Sequence, residues 1–201
     1  REENPILELL YLQKESILKG ELFSMALDKN KLKQQLINWN IQSKQKHTKQ
    51  EALQLFVNAY ETYALDAQDI SGDYINTYNT SAMVQVLMTL PIQGSPQQAA
   101  QIFENALIAF WNSATFKLTI PPSGTIAPEI SAIVTQNITS GTLQPLLLPI
   151  FSDISIQTTL ETKMNQLATA LDTVTKTIVV TCIGTNPSPP PPTIPVIGTI
   201  Y

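Results

Sequence analysis

The stretch Gly94-Ser-Pro-Gln-Gln-Ala-Ala-Gln-Ile-Phe-Glu-Asn-Ala-Leu-Ile-Ala-Phe-Trp-Asn-Ser-Ala-Thr-Phe116 is the best-specified part of the chain. Ser95 suits an N-cap, Pro96 suits the first helical position, and Gln98 completes a capping box with Ser95. Ala99, Ile102, Phe103, Ala106, Leu107 and Phe110 recur at helical spacing, so one face is apolar. After Asn112 and Ser113 the pattern changes to Thr115-Phe-Lys-Leu-Thr-Ile120, which reads as a short strand stopped by Pro121-Pro-Ser-Gly124. A capped helix followed by a strand is therefore the expected centre of the core. It carries no chemistry.

Upstream, Asn4 and Pro5 open a helix expected over about 5–27, with Leu7, Tyr11, Leu18, Leu22 and Met25 on one stripe. Asp28-Lys-Asn30 marks a break. Leu32, Leu36 and Trp39 continue as helix to about residue 43. Leu53, Phe56, Val57, Tyr60 and Tyr63 then give a strong helical period. Residues 67–78 read as a connector or a broken helix. Asn79-Thr-Ser81 caps a short helix carrying Met83, Val84, Val86, Leu87 and Leu90, ended by Pro91 and Gly94.

Downstream, residues 126–139 fit either a helix or two short strands. Ile130, Ile133, Val134 and Ile138 favour the helix. The run 143–151 has two prolines and reads as a buried, broken helix. A last helix, started by Asp153 or Ser155, carries Leu160, Met164, Leu167, Leu171, Val174 and Ile178. These step by about 4 and 3, the seam of a helix packed lengthwise on another. Thr177-Ile-Val-Val-Thr-Cys-Ile183 is a β-branched run expected to form a strand, for which residues 115–120 are one available partner. From Asn186 the chain is proline-rich, uncharged and extended, largely polyproline II.

The fold class expected is mainly α: a helical bundle with a small β element and an extended proline-rich C-terminal arm. The units expected are an amphipathic helical hairpin segment (1–66), an α-rich core with short strands (67–184) and the arm (185–201). The arm ends in Ile194, Val196, Ile197, Ile200 and Tyr201, too apolar for a free linker. Pro189, Pro192 and these five residues are the candidate interaction residues. They are expected on a neighbouring subunit or partner, with folding back onto their own domain as the alternative.

The bulk numbers bound the function. The 201 residues suffice for a real core. Charged residues make up 14% of the chain against roughly 25% in an ordinary domain. Net charge is −4, so there is no basic footprint for nucleic acid. No apolar run approaches the ~20 residues that span a bilayer. Residues 1–66 hold 9 of the 12 Lys and Arg and 9 of the 16 Asp and Glu. Beyond them Thr, Ser, Gln and Asn replace charge. Two readings fit: compositional drift, or a surface that meets other subunits, since interface cores are depleted in charge. The opening Arg1-Glu-Glu-Asn-Pro5 reads as a processed or partial product.

Catalytic sets are thin. His47, the single histidine, sits among Lys44, Lys46 and Lys49, where a solvated side chain is expected rather than a triad or metal ligand. That basic cluster reads as a solvated turn rather than a phosphate or anionic-lipid contact. Cys182, the single cysteine, lies in an apolar run and reads as a small buried hydrophobe. It allows no intrachain disulfide. Asp66, Asp69 and Asp73 are the sole acid cluster outside the N-terminus, and their spacing matches no calcium loop. No glycine-rich phosphate loop is present. Asn79-Thr-Ser81 and Asn137-Ile-Thr139 are glycosylation sequons of the kind that arise by chance in this composition. No enzyme, metal or cofactor is expected.

Residues 96–183 resemble small virion structural proteins of tailed bacteriophages. The features that carry the resemblance are Ala109-Phe-Trp-Asn-Ser-Ala-Thr-Phe116, the turn Pro121-Pro-Ser-Gly124, the long amphipathic helix, and Thr177-Ile-Val-Val-Thr181 before a proline-rich end. The resemblance implies a non-enzymatic building block of the neck, tail or head periphery. Its partners would be other virion proteins and copies of itself, without nucleic acid or membrane. A bacterial cell-envelope or scaffolding protein that binds a partner through its helices is the alternative.

Overall fold

A computed structural model describes residues 27–45, 48–69, 72–112, 114–118, 129–185 and 193–200. These hold six helices and a five-stranded sheet. The helices are α1 (Lys29–Ser43), α2 (Lys49–Ala64), α3 (Thr80–Met88), α4 (Pro96–Trp111), α5 (Gln144–Ser152) and α6 (Leu160–Thr175). The strands are β1 (Ile75–Thr77), β2 (Thr115–Phe116), β3 (Glu129–Gln136), β4 (Val179–Thr185) and β5 (Thr193–Thr199). The expected helix over 5–27 lies outside the described residues.

Local chemistry sets the helix starts. Ser95 and Thr48 each form a complete capping box, with Gln98 and Glu51 reaching back to the cap N–H. Asp28 accepts from the N–H of Asn30, Asn79 from that of Ala82, and Thr159 from that of Thr162. Asp28 is thus the N-cap behind the break expected there. The last helix begins at Leu160, not at Asp153 or Ser155. Those two side chains accept from the N–H groups of Ser155 and Gln157, which holds the backbone in local turns instead.

Each helix packs against the next along the chain, and α6 returns to α1, so the six form a closed ring of neighbours. The seam of α6, Met164, Leu167, Leu171 and Val174, is buried as its spacing predicts. One cluster of buried side chains runs from Leu27 to Ile200 and draws on both sides of position 66. Phe56 touches Trp39 and Phe103 edge-on, and Phe103 does the same to Phe151, with centroids 5.1–5.2 Å apart. These rings tie α1, α2, α4 and α5 together.

The sheet is antiparallel throughout, in the order β1-β2-β3-β4-β5. One expectation is corrected here. Residues 129–136 are a strand, not a helix, because Ile133 and Val134 find cross-strand partners in Thr181 and Val180. β4 consequently pairs with β3 and not with residues 115–116, since β3 lies between them. The connector 67–78 contributes β1, opposite β2. Residues 144–152 are helical with Pro149 inside, but Leu147 is the helix's one buried residue and Leu146 is exposed.

Candidate assembly surface

The sheet has two unlike faces. Ile75, Phe116, Ala132, Val180 and Cys182 are buried against the helices. On the other face stand Thr77, Thr115, Ile133, Thr135 and Thr181. Thr77 and Thr115 share a hydroxyl hydrogen bond of 2.7 Å, and Thr135 and Thr181 one of 2.8 Å. Ile133, opposite both Thr115 and Thr181, is 42% exposed. None of these five side chains is charged. Reading 126–139 as a helix hid this face. The signal that locates it is the alternation of Ile133 and Thr135 with Ala132 and Val134.

The candidate interaction residues fall at the sheet's far end. Pro189, Pro192 and Tyr201 lie outside the described residues. Ile194, Val196 and Ile197 belong to β5, in register with Gly184, Cys182 and Thr181. The expected polyproline conformation therefore gives way, over 193–199, to a strand laddered on β4. Ile200 is 2% exposed, and its N–H donates to the carbonyl of Ile178 at 3.1 Å. No charged residue follows Lys176 in the chain.

The acid cluster and the cysteine picked out in the sequence have partners within the fold. Asp66 pairs with Lys31. Asp69 is fully buried, accepts from the N–H of Asp73 at 3.0 Å and lies 3.3 Å from the Cys182 thiol. Among the described residues no group of three or more His, Cys, Asp or Glu is placed to hold a metal ion. Lys49 donates to the carbonyls of Met88 and Leu90 at the C-terminal end of α3. Lys44 caps α1, and Lys46 and His47 lie outside the described residues. Both sequon asparagines are engaged: Asn79 caps α3, and Asn137 donates to the carbonyl of Ile108 at 2.8 Å.

Two buried polar clusters escaped the sequence reading. Glu104, fully buried on α4, accepts from the N–H groups of Gly141 and Leu143, both at 2.8 Å, and from the Gln144 amide at 2.6 Å. It occupies the start of α5, whose own N-cap residue Leu143 supplies no side-chain bond. Gly141 adopts φ +88°, which glycine tolerates. Burial alone would raise the Glu104 carboxyl, but the bonds from Gly141, Gln144 and Leu143 outweigh it and hold the group below its ordinary 4.5. Its signal was an acid in register with Ala100 and Leu107 on the apolar stripe. In the second cluster the Trp111 indole N–H donates to Tyr60 Oη at 2.8 Å, and Tyr60 shares a 2.7 Å bond with Thr175. Burial pushes the Tyr60 phenol above its ordinary value.

A groove of 430 Å³ lies between α5 and α6, lined by Leu146, Pro149 and Ile150 on one side and Thr169 and Thr173 on the other. Among the described residues no helix is long and apolar enough to cross a membrane. Comparison of the chain with family models, curated proteins and solved structures gives no match.

Proposed function

We propose that the chain is a non-enzymatic structural subunit of a tailed-phage virion, at the neck, tail or head periphery. It assembles with copies of itself and with other virion proteins through low-charge surfaces and its C-terminal segment. One observation supports the reading: Thr77, Thr115, Ile133, Thr135 and Thr181 form an uncharged patch on one sheet face, and the two strands that follow, β4 and β5, hold no charged residue. Charge is kept out of the centres of permanent interfaces because its desolvation is costly there. The sequence resemblance over 96–183 supplies the kind of assembly.

Immunogold labelling with antibody raised against the chain tests the proposal in lysates of the source cells. Label at one place on tailed particles is the expected result. Label confined to the cell envelope overturns it in favour of a partner-binding envelope protein.

A further inference from the structure

α5 is weakly held by its own sequence. It contains two prolines, and Pro149 lacks the N–H that would close onto the carbonyl of Pro145. Its N-cap, Leu143, supplies no side-chain bond, and Leu147 is its one buried residue. A groove separates it from α6 along Leu146, Pro149 and Ile150. Two carboxylates hold its ends instead. Glu104 Oε1 accepts from the N–H of Leu143 at 2.8 Å, and Oε2 from the N–H of Gly141 at 2.8 Å and the Gln144 amide at 2.6 Å. Beyond the other end, the Asp153 carboxylate lies 3.5 Å from Lys163 of α6, which also donates to the Asp153 carbonyl at 2.7 Å.

Glu104 has no room for a proton. Donors fill both oxygens, so a proton on either sets O–H against N–H. Turning the Gln144 amide over gives a proton on Oε2 an acceptor. The protonated oxygen then accepts poorly, and the Gly141 N–H is left behind. No neighbouring charge compensates. α3, α4, α5 and residues 137–143 contain no other Asp, Glu, Lys, Arg or His. On α2, Lys49 bonds the carbonyls of Met88 and Leu90, Glu51 accepts from the Thr48 N–H, and Glu61 accepts from Tyr78. Tyr60 and Tyr63 bond Thr175 and Asp172. On α6, Glu161 faces Lys33, Lys163 faces Asp153 and Asp172 faces Lys176.

We propose that α5 is an acid-released strap: protonation of Glu104 frees residues 141–152 from α4 while the other five helices stay packed. The strap has a hinge at each end. Gly141 sits at φ +88° on one side, and the turn bearing the exposed Ile154 and Ile156 lies on the other. Release uncovers Phe103, which Phe151 otherwise covers edge-on. α6 keeps anchors of its own, because Tyr63 donates to Asp172 at 2.8 Å, Tyr60 bonds Thr175 at 2.7 Å, and α1 lies alongside. The sign is fixed by the same bonds. Against burial, those from Gly141, Gln144 and Leu143 keep the carboxyl ionised to below its ordinary 4.5. The strap is therefore shut above that pH and freed as pH falls through the lowered value. Nothing in this device depends on where the chain assembles.

Glu104→Gln tests it in the full chain, because the amide sets N–H2 at one of the two filled oxygen positions at every pH. Amide hydrogen exchange at neutral pH should find residues 146–151 of E104Q at least about tenfold less protected than in the wild type. They should exchange well ahead of α4 and α6, which stay protected. Wild-type protection at 146–151, or exchange in step with α4 and α6, overturns the strap. The wild-type chain gives an independent reading should E104Q misfold. Protection followed from about pH 7 to about pH 3.5, corrected for intrinsic exchange, should fall in α5 before it falls in α1 and α2. A fall in all helices together, or none in α5, overturns the proposal equally.

Discussion

Glu104 is the side chain on which the α4–α5 contact turns. It satisfies N–H groups that α5 cannot satisfy for itself, and it does so from another helix. Glu104→Gln retains the shape but sets an amide among donors, so the variant should lose about 2–3 kcal/mol of stability in urea unfolding. The pH dependence has a definite sign. A carboxyl whose folded pKa lies below its unfolded value contributes stability above about 4.5 and loses it as pH falls through the lowered value. The wild-type chain should therefore weaken below pH 4.5 more steeply than E104Q, as acid titration followed by circular dichroism would reveal. Tyr60→Phe leaves the Trp111 indole N–H without its buried acceptor and should cost about 1–3 kcal/mol. Neither role was legible beforehand, because each depends on a partner more than 35 residues away in sequence.

At the scale of elements, legibility followed the locality of the interactions. The capping box at Ser95, the cap at Asn79 and the buried stripe of α2 depend on residues within one or two turns, as does the box at Thr48, which went unread inside a run expected to be a polar turn. Their chemistry can be read directly. Ser95→Ala should accordingly lower stability by about 1 kcal/mol. Residues 129–136 were misread because Ile130, Ile133, Val134 and Ile138 also satisfy a helical period. The decision falls to β4, some 45 residues onward, which supplies the cross-strand partners. The start of α6 was displaced for a related reason, since Asp153 and Ser155 are good caps that are used in turns instead. For the C-terminal segment, composition marked an apolar end at Ile194, Val196, Ile197, Ile200 and Tyr201 within an extended arm over 185–201, but not the strand that 193–199 add to β4. Ile200→Ala should cost about 2–5 kcal/mol, because this side chain belongs to the core rather than to a free arm.

For the whole molecule, the ring of helices matters more than any one contact. α1 meets α2 beside it in sequence, yet it also meets α6, and Lys33 pairs with Glu161 across 128 positions of chain. That seam has a consequence for synthesis. The flank of α1 that α6 covers must wait for residue 175 to be translated, and at ~5–20 residues per second the wait is on the order of 10 s. Throughout it, Leu32 and Leu36 have only the α2 side of their packing to rely on. A nascent chain stalled short of α6 is thus the form in which this protein presents greasy surface to chaperones, and a ribosome-release assay stepping the stall site across residues 160–176 should see that exposure vanish.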